Sequence, residues 1–178
     1  MNMRFPGFKP ALLLLTALLA VWGCGTTMKS KHPEATLRLY LEVPPDRGDG
    51  SLPVPIMRNN PFYLNVAKAP FLDERYLTNV VLFSALGGPA IEITFGSTGA
   101  KLLEQYSLDQ RGRQFGILCG WGIGTSNVQT RWLAAPVFTR TISDGRIRFS
   151  PDATVEETEY IVSCLTNTLK TVKRTTGI

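Results

Sequence analysis

The chain has 178 residues, with 19 lysines and arginines against 14 aspartates and glutamates, a formal net charge of +5. Its basic residues form no cluster except Lys170, Lys173 and Arg174, so it lacks the positive patch that nucleic-acid binding needs. With one histidine and three cysteines, it has no set of side chains for Ser-His or Cys-His catalysis or for zinc. We therefore expect no enzyme, no metal and no cofactor.

The N-terminus has the pattern of an export signal. Two basic residues, Arg4 and Lys9, precede an apolar run of 11 residues from Ala11 to Val21. That run is too short to span a bilayer, which takes about 20 residues. A basic segment before a short apolar one is typical of a cleaved secretory signal, which we place at residues 1–23.

The residues at the expected cleavage point, Val21-Trp22-Gly23-Cys24, resemble the lipobox of bacterial lipoproteins. This resemblance implies that Cys24 becomes the acylated first residue, and two or more acyl chains anchor a protein stably to a membrane. An ordinary signal with an incidental Cys24 is the alternative. Gly25 stands where an aspartate would imply retention at the inner membrane, so we favour the outer membrane, with the domain facing the periplasm.

Residues 24–36 are predicted to form a tether, because this segment is small, polar and charged. A flexible chain of ten residues reaches roughly 17 Å, which would keep the domain close to its membrane. His32 is the only histidine and has no second ligand nearby in sequence, so we expect it to be solvated.

The first half of the domain is predicted to be mainly extended. Apolar and polar residues alternate from Leu37 to Val43, which predicts a half-buried strand. A second strand is predicted over Pro53 to Arg58, at a sheet edge because Pro55 cannot donate to a central ladder. A third strand is predicted over Phe62 to Val66, and Pro70 to Leu77 predicts a short helical turn.

The middle of the chain is predicted to change from strand to helix. Two apolar runs, Asn79 to Leu86 and Ala90 to Phe95, flank a Gly-Gly pair and predict a hairpin. A helix is predicted over Ala100 to Gln110, with a hydroxyl of Ser97 or Thr98 capping its start. Gly112 is predicted to end it.

The second half alternates strands with one loop and then ends in a long helix. The loop is predicted over Gly122 to Asn127, and Thr154-Val155-Glu156-Glu157 forms a capping box at the start of the helix. Strands are predicted over Gln114 to Gly120 and Arg146 to Phe149, and extended segments over Gln129 to Ala134 and Val137 to Ile142. The apolar stripe of the helix consists of Ile161, Cys164, Leu165, Thr168, Leu169 and Val172. These elements predict an α+β fold, a mostly antiparallel sheet with two main helices packed on one face.

Four side chains in this half bear on function. Cys119 and Cys164 could pair in an exported protein or remain as buried free thiols. Trp121 and Trp132 flank the glycine loop, which makes them candidate contacts for a peptide or a partner surface, with a core position as the alternative for Trp132. An extended peptide could also add to an exposed sheet edge.

Several pieces of the chain, taken in order, resemble the periplasmic P1 head subdomain of SecD, a subunit of the bacterial protein-export machinery. The resemblance covers about Pro70 to Leu169 and implies a head-like domain over residues 37–173. The matching pieces are Pro70 to Glu74, Ile91 to Phe95, Gly99-Ala100, Gly112-Arg113, Ala135-Pro136, Ile142, Gly145, Ile147, Phe149 and Thr154 to Glu157.

The resemblance implies a module that contacts unfolded polypeptide or an envelope protein and assists protein export. This sequence departs from SecD because its single hydrophobic segment is the predicted signal, so we expect no proton-driven motor. The alternative is a structural scaffold lipoprotein of an envelope complex with no export role.

Overall fold

The structure is a computed structural model that describes residues 32–45, 50–85 and 87–176, without the side chains of 174–176. The predicted signal and Cys24 lie outside the described residues. Within them, two helices and nine strands form. In chain order these are β1 (Glu34–Leu41), β2 (Ser51–Ile56), β3 (Phe62–Ala67), β4 (Leu72–Asp73), β5 (Leu77–Ala85), β6 (Gly88–Phe95), α1 (Ser97–Asp109), β7 (Phe115–Ile123), β8 (Gln129–Ala134), β9 (Arg146–Phe149) and α2 (Val155–Thr176).

The strands form three antiparallel sheets, in the orders β4-β1-β7-β8, β2-β3 and β5-β6-β9. The predicted α+β class with a mostly antiparallel sheet and two main helices is therefore confirmed. The predicted hairpin is also confirmed, as β5 and β6. Its turn uses Gly87 at φ 110° and Gly88 at φ 135°, a backbone region that glycine adopts without a Cβ clash.

Helix α2 packs on β1, β5, β6 and β7 and completes the main core. Its capping box is confirmed, since the Glu157 N–H donates to Thr154 Oγ1 at 3.2 Å and the Thr154 N–H donates to Glu157 Oε2 at 3.1 Å. Ile161, Cys164 and Leu165 of the predicted stripe are fully buried. In the part of the chain that the structure describes, neither helix combines the length and the apolar character needed to cross a membrane.

Side chains form hydrogen bonds with main-chain groups at the edge of β1 that β4 does not pair with. Thr168 Oγ1 of α2 accepts from Ala35 N at 2.9 Å and lies 2.8 Å from Ala35 O. Glu74 Oε2 accepts from Leu37 N at 3.1 Å. β1 begins at Glu34 and Ala35 is 1% exposed. The sheet therefore includes the last residues of the predicted tether.

The start of α1 differs from the prediction. Gly96 is the N-cap and no side chain caps the helix, while Ser97 and Thr98 are its exposed first residues. The Gly96 N–H instead donates to Tyr76 O at 2.8 Å. A Cβ on Gly99 would lie 2.8 Å from Tyr76 Cβ, so the glycine is needed for close packing of the helix on the preceding turn.

Two other predicted elements take different forms. Pro70 to Leu77 contains β4 and a single 3-10 turn, Glu74–Tyr76, because Leu72 and Asp73 pair with β1. Val137 to Ile142 contains no strand. Val137 makes an isolated bridge to Gln114.

Candidate functional site

Trp121 is a core residue. Its side chain is 2% exposed, because β7 lies between β1 and β8 in the sheet. The guanidinium of Arg131 lies 5.0 Å from its ring centroid and covers it. The folded chain leaves the Trp121 ring almost no exposed surface, which argues against the predicted partner contact at this residue.

Trp132 is half-buried on β8. Its ring packs edge-to-face on Tyr40 at 5.2 Å between centroids. The ring also packs closely on the main chain at Gly116, where a Cβ would lie 2.7 Å from it. The ring also lines a cavity of ≈ 330 Å³ together with Pro55 and Pro61, so part of its surface remains open beside the β2–β3 hairpin.

The β2–β3 hairpin concentrates exposed apolar side chains. Tyr63 is 72% exposed and Met57 is 54% exposed, and Leu52 and Phe62 are also exposed. Leu52 and Phe62 lie on the same side of the hairpin as Val54, Ile56, Leu64 and Val66, which form a second, smaller core, and Tyr63 lies on the opposite side. Met57, Phe62 and Tyr63 are close together in sequence at the turn end of the hairpin, and Leu52 is at its other end. Exposed apolar surface on a folded domain is typical of interaction sites, so the turn end of the hairpin is suited to contact.

An apolar groove of ≈ 700 Å³ lies beside this hairpin, and we call it the hairpin groove. One wall is the end of the hairpin, a second is the end of β8, and the third is the connection from β9 to α2. Its lining residues include Ile56, Met57, Phe62, Leu133, Pro136 and Phe149. Met57 takes a left-handed conformation, at φ 66°, which is uncommon outside glycine.

Four charged side chains join the hairpin to the start of α2. Arg58 bonds to Glu157 Oε2 at 3.2 Å through Nη2, and Asp152 Oδ2 accepts from Arg58 N at 2.8 Å. Arg131 Nη2 also bonds to Glu157 Oε2, at 3.2 Å. Arg58 and Asp152 of this network also line the hairpin groove, and the network ties the end of the hairpin to the start of α2.

The surroundings of Glu157 favour the ionised form of its carboxyl group. Partial burial acts to raise the pKa of its carboxyl, but the Thr154 N–H and the guanidinium of Arg131 outweigh that effect, so the pKa lies below its usual value. Arg131 Nε is buried and has no hydrogen-bond partner. Arg131 therefore depends on Glu157 and on the ring of Trp121 to balance its charge.

Cys119 and Cys164 have the environment of unreactive core thiols. Cys119 and Cys164 are both buried and unpaired, so the free-thiol alternative holds for this structure. Burial raises the pKa of the Cys119 thiol, which disfavours the reactive thiolate. Within the described ranges, no three His, Cys, Asp and Glu side chains come together to hold a metal ion.

Comparisons with known proteins place the fold. No family model matches the chain, and no curated protein matches it. A solved structure of SecDF, described as a membrane component that enhances protein export, is 18% identical with a TM-score of 0.50, over 91% of this chain and 70% of that one. SecDF in its super-membrane-facing form is 15% identical with a TM-score of 0.50, over 74% of this chain and 18% of that one. The chain therefore has a SecD-like fold, as its sequence pieces indicate.

Proposed function

We propose that this chain is a non-enzymatic lipoprotein of the bacterial envelope whose SecD-like domain binds polypeptide and assists protein export. The observation that carries the proposal is the hairpin groove, an apolar cleft beside a hairpin that exposes Leu52, Met57, Phe62 and Tyr63. The likeness in fold to SecDF, a component that enhances protein export, supports the same reading.

The groove suits weak and non-selective binding. Burying one large apolar side chain stabilises a complex by about 1.5–3 kcal/mol, and ordering two partners consumes a large part of such a gain. A groove that receives two or three side chains of an unfolded segment would thus bind it transiently. Transient binding is what a module needs if it receives polypeptide and then releases it.

The anchor is the second part of the proposal. Acyl chains on Cys24 would hold the domain on the periplasmic side of the outer membrane, and the segment after Cys24 would keep the groove within a short reach of the bilayer. Labelling cells with a palmitate analogue tests this. Label is expected on the wild type and absent from Cys24→Ser, and equal labelling of both would exclude the anchor.

Crosslinking tests polypeptide binding. A photoreactive side chain replaces Met57 or Phe62 in the groove, and a control replaces Leu108, which is 60% exposed against 54% for Met57 and 38% for Phe62 but lies on α1. The purified full chain is mixed with a reduced, carboxymethylated protein that cannot fold. Adducts are expected from Met57 and Phe62 and not from Leu108.

Two outcomes would reject polypeptide binding. Equal adducts at all three positions would mean nonspecific contact. No adducts, together with one stable stoichiometric partner on purification from the envelope, would favour the scaffold lipoprotein.

A further inference from the structure

The outer edge of β5 is an open sheet edge. β5 pairs with β6 on one side, and no strand within the described ranges pairs with its other side. The strand covers nine residues, Leu77–Ala85, and contains no charged residue and no proline. A long uncharged edge is a ready template for another strand.

Four other sheet edges in the described part of the chain carry features that oppose strand addition. β2 contains Pro53 and Pro55, and β9 is four residues long with two arginines. β4 is only two residues long and contains Asp73, while β8 contains Arg131. Because prolines, charges and short length all discourage edge pairing, β5 differs from these four edges. β3, the other edge of the two-stranded sheet, has neither charge nor proline, but Val66 bridges Glu42 and Asn65 O accepts from Val43 N at 2.9 Å, so part of that edge is already covered.

The register of the hairpin shows which main-chain groups of β5 are open. Ala85 and Gly88 close its two-residue turn, and Ser84 lies opposite Pro89. Proline has no N–H, and bonded and non-bonded pairs alternate along an antiparallel ladder. Ser84 and its alternate neighbours, Leu82 and Val80, therefore direct their N–H and C=O groups away from β6.

Helix α2 gives this edge a chemical preference. Leu82 and Ser84 line a cavity of ≈ 310 Å³ together with Val155 and Glu159 of α2. An added strand would place alternate side chains in this cavity, beside one apolar residue and one carboxylate. On the opposite face Val81 is 42% exposed and offers further apolar contact.

We propose that the β5 edge binds an extended polypeptide segment as an added antiparallel strand, with apolar side chains at alternate positions and a basic side chain facing Glu159. This binding is main-chain recognition and is separate from the hairpin groove. A second copy fits the edge poorly, because a continuous sheet across a twofold axis would place both α2 helices, each with Glu159, on one face of the junction.

The first experiment measures binding of a synthetic probe to the full chain held in a lipid nanodisc. The probe is a fluorescent nine-residue peptide that alternates valine with threonine and has lysine at its centre. Ser84→Pro removes one outward N–H and leaves the bonds to β6, so affinity should fall at least about fivefold. Ser84→Ala keeps the N–H and should stay within about twofold of the wild type.

Further variants identify the site and the charge preference. Glu159→Lys should weaken the lysine peptide more than Glu159→Gln does. Met57→Asp, in the hairpin groove, should leave the binding of this probe unchanged while weakening capture of the carboxymethylated protein. If Ser84→Pro fails to fold, Val81→Lys takes its place as the test variant, since an edge lysine opposes strand addition. Val81→Thr then serves as the control.

Amide exchange gives an independent readout. In the free chain the amides of Val80, Leu82 and Ser84 should exchange faster than those of Val81 and Phe83, and the peptide should protect the first three. No peptide binding, or equal affinity for Ser84→Pro and wild type, would overturn the proposal. So would a loss of binding in Met57→Asp, or a dimer in ultracentrifugation that Ser84→Pro dissociates, since the occupant would then be a second copy.

Discussion

Replacing Thr168 with valine tests whether its hydroxyl secures the first strand to the last helix. Thr168 is buried in α2, and its Oγ1 accepts from Ala35 N at 2.9 Å and lies 2.8 Å from Ala35 O. Valine keeps the shape of the side chain and removes both interactions. Ala35 is itself buried, so water cannot replace them.

The cost can be estimated from the two groups left behind. A buried main-chain group without a partner costs about 1–3 kcal/mol, which gives roughly 2–6 kcal/mol for the N–H and the C=O of Ala35. The added methyl of valine returns about 0.8 kcal/mol through burial. We expect Thr168→Val to lower the free energy of unfolding by about 3 kcal/mol, by the same accounting.

The same helix offers a matched control. Thr166 Oγ1 donates to Val162 O at 2.8 Å within the helix, and that carbonyl is one turn back, so Thr166→Val should change stability by less than about 0.5 kcal/mol. Thr168→Ser keeps the hydroxyl and should lose no more than about 1 kcal/mol. Urea unfolding followed by circular dichroism measures all three. Equal stability of Thr168→Val and Thr166→Val would refute the reasoning.

Three further predictions concern the charge network, the tryptophan and the buried thiol. Glu157→Gln should destabilise the chain by about 1–2 kcal/mol, and Glu156→Gln should have a smaller effect. Because the folded-state pKa of Glu157 is lowered, its contribution is complete above the unfolded carboxyl pKa and disappears as the pH falls through the folded one. The difference in urea midpoint between wild type and Glu157→Gln should therefore shrink on acidification, and a constant difference would contradict the network. Gly116→Ala should cost about 1–3 kcal/mol by overpacking and shift tryptophan fluorescence, because its Cβ meets the Trp132 ring. Iodoacetamide should modify Cys119 only as fast as the chain unfolds, and rapid labelling of the folded chain would show that the thiol is accessible.

Local signals in the sequence predicted the elements whose stabilising contacts lie close in the chain. The capping box before α2 is complete within four residues, and the Gly-Gly turn joins adjacent strands. Thr168 shows the limit of such signals. Its place in an apolar stripe predicts burial correctly, but its hydroxyl acts on Ala35, and only the folded chain brings the two together.

Tertiary pairing overrode two local signals. Asp73 suits the start of a helix, and it does accept from Arg75 N at 3.0 Å, but pairing with β1 limits that helix to one 3-10 turn. Ser97 and Thr98 are good capping residues, yet the helix begins before them, since Gly96 O already accepts from Ala100 N at 2.8 Å. The bond from Gly96 N to Tyr76 O holds Gly96 at the N-cap position, so both hydroxyls fall within the first turn, where they cannot act as the cap.

The candidate site was less predictable than the fold. The hairpin groove combines residues 56–59 and 62 with Gln114, residues 133–136 and residues 149–154, and no pattern in one sequence shows that these segments meet. The consecutive apolar residues Phe62, Tyr63 and Leu64 did carry a usable signal, because a strand that alternates sides must then expose one of them. The burial of Trp121 was not predictable, because nearness to a loop in sequence says little about burial on a central strand.

The antiparallel pairing of β1 with β7 decides how the domain responds to a pull on its N-terminal end. Tension applied before Glu34 runs along β1, which pairs with β7 from Glu34–Ile123 to Leu41–Phe115. Such a load acts in shear on the whole ladder instead of opening its bonds one at a time. Asn167 adds a brace where the load enters, since its Nδ2 donates to Pro33 O at 3.0 Å. If the domain is tethered to a membrane at that end, a pull along β1 would therefore load many hydrogen bonds of the β1–β7 ladder together.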